Sequence, residues 1–504
     1  TLGKAKASFA FLSLNRNFAL MLTNSRLILH MLGELLLILC AFMLLPVFVA
    51  IGYDEDIYGN FLVSSAITAV MGVSLVVLFR KHDTIVSKQD SYIIVASVWV
   101  FFTLFGMLPY SLCTGMPIID AMFESMSGFT TTGSTVFPNI DIAPRSLLLW
   151  RSLTQWIGGM GIITLSAVLL PALGIGGMQM FTAEASINRS DRFHPKINEV
   201  ARYSMAFYVG LTLLEVLCLY FGDMPLFDAV CHSLSTLSTG GFSPRMQSVG
   251  YYNSAYIEYV VIIFMFLGGA NFTLFYAAMF RRWDRIKGDE ESRAYLITIL
   301  LCSIIVTCAL MNSGAFGSNI ESSFRHSLFH IVSVITSTGF TTDNYTLWPP
   351  VTATITVLLM VTGTCTSSTS GGLKLMRILI TLRHIKGEFK RMIHPTAVVP
   401  VKYNGKAIPD GDLRGVSLFV LFYFVVMIIG VLLLSMDGLS FEDAFGLGAN
   451  SLGDIGISIG SYGPNGDIAS LSVFSKFIMI VLMLLGRLEI FTIILLFAPS
   501  FWKR

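Results

Sequence analysis

The chain has 504 residues, of which 54% are hydrophobic and only 13% are charged, and its formal net charge is +2. A soluble globular protein carries roughly 25% charged residues, so this composition excludes a water-soluble chain. The near-neutral total charge says little about partners, and we expect no nucleic acid among them.

Long apolar blocks run through the whole sequence. About 20 apolar residues in a row cross a bilayer as one helix. Ten such blocks predict an all-α integral membrane protein with ten transmembrane helices. The blocks are Leu27–Ile51, Phe61–Phe79, Ser91–Leu108, Leu147–Ala172, Tyr203–Phe221, Ala255–Phe280, Tyr295–Met311, Val351–Ile380, Val416–Ser435 and Val473–Ala498. Residues 1–20 are a polar, basic tail that could derive in part from cloning, and they are left out of the fold prediction.

Lysine and arginine collect on one side of the predicted spans. Basic clusters follow the second, fourth, sixth, eighth and tenth blocks, whereas the alternate connections carry few charges. Positive residues mark the cytoplasmic side of a membrane protein. We therefore expect both ends of the chain to face the cytoplasm.

Four further apolar segments are too short to span, at residues 117–130, 225–238, 322–336 and 440–452. Each lies between two spans on the side without basic clusters, and each runs into a stretch rich in Gly, Thr and Ser. Segments of this length can enter and leave the membrane on one face. The pattern predicts four units of span, re-entrant helix, glycine turn and span.

A shared frame aligns the four copies. A glycine follows Asp120, Asp228 and Asp443 by 13 residues, and in the third copy a glycine follows His326 by 13 residues. The aligned glycines are Gly133, Gly241, Gly339 and Gly456, with Gly240 as the alternative in the second copy. The predicted parts are two extra N-terminal helices at 21–90 and pore repeats at 91–200, 201–293, 294–410 and 411–504.

Four such turns in one chain predict a cation pore. Irregular backbone at membrane depth is tolerated where it is buried or lines water. Glycine reaches backbone conformations closed to most residues, and rings of carbonyl oxygens can replace the hydration shell of K+. The C-terminal ends of the short helices favour a cation. The absence of a ring of Lys or Arg in these stretches argues against an anion pore. Taken singly, each stretch could be an ordinary turn. The candidate filter residues are Thr131, Thr132, Gly133, Thr239, Gly240, Gly241, Thr338, Gly339, Asp454, Ile455 and Gly456, with Ser238 and Ser337 beside them.

Several segments resemble the Trk/Ktr/HKT superfamily of K+ transporters, most closely the Trk membrane subunits with two extra N-terminal spans. They are SGFTTTGST, WIGGMG, LSTGGFS, TSTGF, TSSTSGGLK, GDIGIS and LLGRLEIF, and the resemblance covers nearly the whole chain after residue 20. It implies that the aligned glycines form the filter, with K+ at Thr132, Gly133, Gly241, Thr338, Gly339, Ile455 and Gly456. Family members that favour Na+ tend to carry serine at the first position, so glycine there points to K+. The fourth copy departs from the others, and its acid could concentrate cations or brace the loop.

A run of small polar residues interrupts the eighth block. Such a run breaks a helix, although it could also be a helix-packing face. The resemblance implies that it forms an intramembrane gate below the filter. The run consists of Gly363, Thr364, Cys365, Thr366, Ser367, Ser368, Thr369, Ser370, Gly371 and Gly372.

Two basic residues are assigned to the gate. Arg487 is a charge inside the last block that needs a partner, and the resemblance implies that it faces the pore near the gate. Glu489 is a possible partner, although residues two apart do not share a helix face. Lys374 helps the gate or extends to the interface. Arg151 and Glu215 are predicted to be structural.

The resemblance also implies partners for this chain. These are a second copy in a homodimer and a cytosolic ring of nucleotide-binding, RCK-type (TrkA-like) regulatory subunits. The basic segments 281–293 and 377–406 could dock that ring or meet anionic membrane lipid. We expect a multi-pass protein of a bacterial inner membrane that transports K+ and carries no organic cofactor.

Two other classes of function were weighed. A proton- or Na+-coupled secondary transporter often has inverted repeats, whereas these repeats run parallel and favour a pore. For an enzyme or a pump, the sequence lacks a GxxxxGK[ST] phosphate loop and an HExxH motif. His194, His330 and His394 are isolated and are predicted to be structural, and the seven cysteines are predicted to be reduced. We therefore expect no enzymatic activity.

Overall fold

The computed structural model describes residues 25–80, 88–164, 197–317, 319–464, 466–499 and 501–502. The helices of the first half are α1 (Ser25–Met43), α2 (Leu45–Gly52), α3 (Tyr58–Leu78), α4 (Lys88–Gly106), α5 (Leu108–Thr114), α6 (Ile118–Phe129), α7 (Arg145–Thr164), α8 (Ile197–Phe221), α9 (Leu226–Leu237) and α10 (Ala255–Gly269). Those of the second half are α11 (Phe272–Met279), α12 (Trp283–Gly288), α13 (Glu290–Ser313), α14 (Ile320–Ile335), α15 (Pro350–Thr362), α16 (Leu375–Ile393), α17 (Asp410–Met436), α18 (Phe441–Gly453), α19 (Val473–Arg487) and α20 (Glu489–Phe497). The N-terminal tail 1–20 and His194 lie outside the described residues.

The described part of the chain contains six helices that are long and apolar enough to cross a membrane, or eight if two bent helix pairs each count as one span. The remaining two predicted spans do not qualify. Leu147–Ala172 begins in α7 and continues beyond the described residues, and Val351–Ile380 is interrupted between α15 and α16. The structure is therefore a mostly helical membrane protein.

Two predicted spans are sharply bent. Within Ala255–Phe280 the axis turns by 94° between α10 and α11, and within Val473–Ala498 it turns by 110° between α19 and α20. At the first bend Asn271 caps α11, because its side-chain oxygen accepts a hydrogen bond from the amide of Thr273. At the second bend Glu489 has a φ of +54°, which ends the regular helix.

Helices α1 and α3 form a hydrophobic layer outside the predicted repeats. Helices α1 and α3 approach closely where Gly33 faces Gly72, since a Cβ added to Gly33 would lie 2.8 Å from the carbonyl oxygen of Gly72. Small residues at such crossings let membrane helices pack backbone against backbone. Leu32, Leu36 and Leu39 of α1 are buried in this layer.

Four short helices, α6, α9, α14 and α18, coincide within a few residues with the four short apolar segments of the sequence. Proline precedes the first two, whereas Asn319 and Ser440 cap the other two by accepting a backbone N–H. Their last turns are almost fully buried. Each helix therefore delivers the residues that follow it to the interior.

A small hairpin lies between α16 and α17. Strands β1 (Lys402–Tyr403) and β2 (Lys406–Ala407) pair antiparallel across Asn404 and Gly405, which both have positive φ. Asn-Gly is the favoured pair for such a two-residue turn. The Asn404 amide accepts from the backbone N–H of Glu290 at 3.0 Å and donates to Asp289 at 3.3 Å, which joins the hairpin to the start of α13.

Candidate functional site

The four aligned glycines share one backbone conformation. Gly133, Gly241, Gly339 and Gly456 have φ values of +86°, +79°, +85° and +90°. The residue two positions before each glycine also has positive φ, between +50° and +57°. Those residues are Thr131, Thr239, Ser337 and Asp454. Thr, Ser and Asp still adopt the left-handed conformation at the first position, whereas the φ values of +79° to +90° at the second position favour glycine.

The four glycines lie side by side in a closed ring. A Cβ added to Gly133 would overlap the carbonyl oxygen of Gly240, and one added to Gly241 would overlap that of Thr338. In the same way Gly339 abuts the carbonyl oxygen of Ile455, and Gly456 abuts that of Thr132. Each loop thus presents the carbonyl before its glycine to the neighbouring loop. We call these four oxygens, of Thr132, Gly240, Thr338 and Ile455, the carbonyl ring.

The first and third loops are braced in the same way. Ser127 donates to the carbonyl of Ser134 at 2.6 Å, and Ser333 donates to the carbonyl of Phe340 at 2.7 Å. The hydroxyls of Thr130 and Thr132 lie 2.8 Å apart, and those of Thr336 and Thr338 lie 2.7 Å apart. All these residues are buried, so their hydroxyls are satisfied without water.

The fourth loop is bonded to the first. Asp454 accepts a hydrogen bond from the hydroxyl of Thr132 at 2.9 Å. Asn450 accepts from the amide of Gly456 at 2.7 Å and donates to the hydroxyl of Ser134 at 2.9 Å. These contacts favour bracing over the collection of cations as the role of the acid. Asn450 had not been singled out in the sequence, because nothing in its local pattern distinguishes it.

A buried ion pair joins the first two loops. Arg151 of α7 donates to the carboxylate of Glu124 at 2.7 Å and to the carbonyl of Ser243 at 3.2 Å. Glu124 also accepts from Thr135 at 3.0 Å and from the amide of Val136 at 3.0 Å. Through Glu124, the arginine therefore connects the segments that follow Gly133 and Gly241. Glu215 is likewise fully buried, in α8.

Replacing Arg151 by methionine should strongly destabilise the protein, because it leaves the Glu124 carboxylate buried without its partner. Breaking such a pair costs about 3–5 kcal/mol. Thermal unfolding of the detergent-purified protein measures the effect. The control is Arg391→Met, which removes the pair with Glu388, whose two side chains are 39% and 46% exposed and which should cost under about 1 kcal/mol. Equal losses in the two variants would contradict a structural tie.

Residues 363–374 form an irregular, largely buried segment between α15 and α16, which we call the inner loop. It packs directly on the residues that precede the glycines. Thr369 accepts a hydrogen bond from Thr239 at 3.1 Å, and the amide of Gly371 donates to Ser337 at 2.9 Å. Gly371 also abuts the backbone of Gly453, at the end of α18. The inner loop therefore packs against three of the four glycine loops.

Arg487 contacts the inner loop from α19, and Lys374 is the last residue of the loop itself. Arg487 donates to the carbonyl of Thr369 at 2.6 Å and to that of Gly158 at 3.2 Å. Lys374 is buried and donates to the carbonyl of Ser370 and to the hydroxyl of Ser368. Its side chain is only 8% exposed, which excludes extension to the interface. A cavity beneath the loop is lined by Ser368, Ser370, Lys374, Arg487 and Glu489, among others.

Glu489 is not the partner of Arg487. Its carboxylate pairs with Arg377 of α16 at 2.6 Å. The 110° bend between α19 and α20 separates the two neighbours in direction, and Arg487 uses backbone carbonyls instead of an acid. Of the two possibilities left open by the sequence, the structure thus favours the one in which Glu489 does not pair with Arg487.

Glu291 makes contacts that the sequence did not suggest. It lies in the first turn of α13 and is fully buried. One of its carboxylate oxygens accepts from the amide and the hydroxyl of Thr366, at 2.7 and 2.9 Å, and from the amide of Met376 at 3.1 Å. A single acid thereby ties the inner loop to the first turn of α16. An acid at the start of an apolar block reads as an ordinary helix N-terminus, so no sequence signal marked it.

The histidines show no common site in the described part of the chain. His330 contacts the hydroxyl of Thr356 at 2.8 Å and packs against Tyr345 and Trp348, whereas His394 ends α16 at the surface. Within the described residues no group of three or more His, Cys, Asp or Glu could hold a metal ion. All seven cysteines are free thiols.

Several apolar helices and a ring of buried loops define an integral membrane protein of the transporter class. The chain belongs to the TrkH family, described as cation transport proteins, whose family model matches residues 58–504. The resemblance seen in the sequence is thereby confirmed. Because the matching relatives are transporters, the expectation of no enzymatic activity is confirmed as well.

Characterised relatives match the chain over almost its full length. The Trk system potassium uptake protein TrkH of Salmonella typhimurium is 34% identical over 482 residues, which cover 95% of this chain and 99% of the relative. TrkG of Escherichia coli is 33% identical over 489 residues, covering 95% and 99%. The crystal structure of the potassium transporter TrkH from Vibrio parahaemolyticus superposes with a TM-score of 0.87 at 32% identity, covering 95% of this chain and 99% of that one.

Proposed function

We propose that this protein carries K+ into a bacterial cell across the inner membrane, through a pore whose selectivity filter is the carbonyl ring. The single observation that supports this most strongly is the closed order of the four glycines, each against the carbonyl of the next loop. Four carbonyl oxygens around one axis can replace the hydration shell of a dehydrated cation. The relatives named potassium uptake proteins favour K+ as that cation.

The proposed architecture has ten membrane spans, of which the last eight form four similar units around the pore. The interrupted block Val351–Ile380, which contains α15 and the start of α16, and the block Leu147–Ala172, which begins in α7, are proposed as the two spans that complete the count. The basic clusters that follow alternate spans of the sequence favour a cytoplasmic position for both ends of the chain. The four short helices then point their C-terminal ends at the ring, where their partial negative charge attracts a cation.

The inner loop is the proposed gate. It contacts Thr239, Ser337 and Gly453, which precede three of the four ring glycines. Arg487 donates to its Thr369 carbonyl, and Lys374, its last residue, donates to its Ser370 carbonyl. Two buried cationic side chains next to an ion path also raise the electrostatic cost of a passing cation. A closed gate therefore combines a steric block with a charge barrier.

A cytosolic regulatory partner is proposed to open this gate, and the membrane part is proposed to be a homodimer. The Trk system names of the relatives suggest a multi-component assembly. Basic residues cluster on α12 and α16, which border the hairpin, and they offer a surface for an RCK-type ring. No organic cofactor is proposed for this chain.

Reconstitution into liposomes tests the function. We expect Rb+ or K+ to enter down an imposed K+ gradient, and Na+ to compete more weakly than K+. Empty liposomes and the Gly133→Ser variant serve as controls. Absence of cation flux under every gradient, with the regulatory partner present, would contradict the proposal.

The second candidate function is a proton- or Na+-coupled transporter. At a fixed K+ gradient, coupling would make K+ entry depend on an imposed pH or Na+ gradient. A pore predicts single-channel currents whose reversal potential follows the K+ gradient alone. The parallel order of the four loops favours the pore, because alternating-access transporters are commonly built from inverted repeats.

A further inference from the structure

The second filter loop differs from the first and third at the position directly before its filter glycine. Where these two carry Thr132 and Thr338, the second carries Gly240. The space of the missing side chain is occupied by Gln155 of α7, since a Cβ added to Gly240 would overlap the side-chain carbon Cδ of Gln155. A residue of another helix thus completes this loop.

The side-chain amide of Gln155 forms hydrogen bonds with the loop on both sides of Gly241. Its Nε2 donates to the carbonyl oxygen of Gly240 at 2.6 Å, and its Oε1 accepts from the backbone N–H of Phe242 at 3.0 Å. One backbone partner is an acceptor and the other is a donor, so only one orientation of the amide satisfies both. Gln155 is fully buried and cannot exchange these bonds with bulk water.

The carbonyl that Gln155 holds is a member of the carbonyl ring. Among the four ring oxygens, all of which belong to described residues, that of Gly240 is the one with a recorded side-chain hydrogen bond. A donor on one lone pair fixes the direction of this oxygen and draws electron density from it. The ring is therefore chemically asymmetric, with one oxygen more rigid than its three neighbours.

We propose that Gln155 is a specificity-determining residue of the pore, acting as a positioning residue through the Gly240 carbonyl. Discrimination between K+ and Na+ depends on how far carbonyl oxygens can move inward to meet the smaller ion, and on their number and field strength. A carbonyl tied to Gln155 cannot follow Na+ inward without losing its hydrogen bond. This inference rests on the proposed role of the carbonyl ring as the filter.

The first test replaces Gln155 by methionine, which keeps the volume and removes both hydrogen bonds. Losing one such bond changes an equilibrium roughly three- to tenfold. We expect the Na+ concentration that halves Rb+ uptake into liposomes to fall by roughly this factor. The control is Gln89→Met, because Gln89 also donates to a backbone carbonyl, that of Phe501 at 2.7 Å, away from the filter loops. A Na+ sensitivity unchanged in Gln155→Met would overturn the proposal.

The second test introduces into the second loop the threonine that the first and third loops carry before their glycine. Gly240→Thr alone should fail, because the new side chain meets Gln155. Gln155→Ala alone should discriminate poorly, because it leaves the loop unsupported. The double variant Gln155→Ala/Gly240→Thr frees the space that the threonine needs, and we expect it to recover protein yield and thermal stability. Its Na+ discrimination should stay weakened, because the corresponding threonines of the first and third loops bond to another threonine hydroxyl and not to a ring carbonyl. Recovery of Na+ discrimination together with stability would show that Gln155 only supports the fold.

The Gly133→Ser variant distinguishes a failure of the Gln155 inference from a failure of the filter assignment. If that variant changes Na+ competition whereas the Gln155 variants do not, the filter assignment stands and the inference about Gln155 fails. If none of these variants changes Na+ competition, the filter assignment itself fails.

Discussion

Gly133→Ser should admit substantially more Na+ than the wild-type pore. At a φ of +86° the new Cβ would overlap the carbonyl oxygen of Gly240, so one of the four ring oxygens must move. A ring with one displaced oxygen no longer encloses K+ evenly, and a loss of about 1.4 kcal/mol in discrimination corresponds to a tenfold change. We expect the Na+ concentration that halves Rb+ uptake to fall roughly tenfold.

Backbone strain alone must be separated from this effect. Gly115→Ser is the matched control, because Gly115 has a φ of +65° and no atom within 4 Å of an added Cβ. Both variants carry the strain of a side chain at positive φ, about 1–2 kcal/mol. Only the first should change ion competition. Equal Na+ competition in the two variants would count against Gly133 as a filter residue.

Deletion of Thr364–Ser370 should raise K+ flux in the absence of the regulatory partner. These residues supply the contacts of the inner loop with Thr239 and Arg487, so their loss uncovers one side of the ring. The cut ends can rejoin without stretching the chain, since a Cβ added to Gly363 would lie 2.6 Å from the carbonyl oxygen of Gly371. Rb+ uptake by liposomes that contain the membrane protein alone measures the effect.

Ion competition provides the control for that deletion. A lost gate should raise flux while K+ remains preferred to Na+, whereas damage to the filter would raise both Rb+ and Na+ entry. Variant protein that elutes as the wild type and shows flux at the closed level would defeat the gate assignment. The two outcomes separate the inner loop from the ring above it.

The parts of the site that repeat could be predicted from the sequence. Gly133 and its three counterparts were located because a fixed spacing of 13 residues links each to a marked position, and because positive φ restricts the residue type. The break after Thr362 was located because a run of small polar residues cannot continue a helix. Repetition and backbone constraint both leave a local signal.

The parts that depend on single long-range contacts could not be predicted. Gln155 is one polar residue in a mainly apolar helix, and a buried polar group in a span was the only signal available for it. The partner of Glu489 was missed, because a bend of 110° without proline decides which residues α20 can reach. Helix direction after such a bend depends on packing between distant segments, which periodicity does not record.

Glu291 links the inner loop to the end of α13 that bonds to the hairpin. The residue directly before it, Glu290, receives Asn404 on its backbone and Arg383 on its carboxylate, so the hairpin and the base of α13 move as one body. A protein that binds this hairpin in two different conformations would change the strength of the hydrogen bonds between Glu291 and Thr366. If the free energies of binding in those two conformations differ by only about 1.4 kcal/mol, the ratio of conducting to closed molecules changes tenfold.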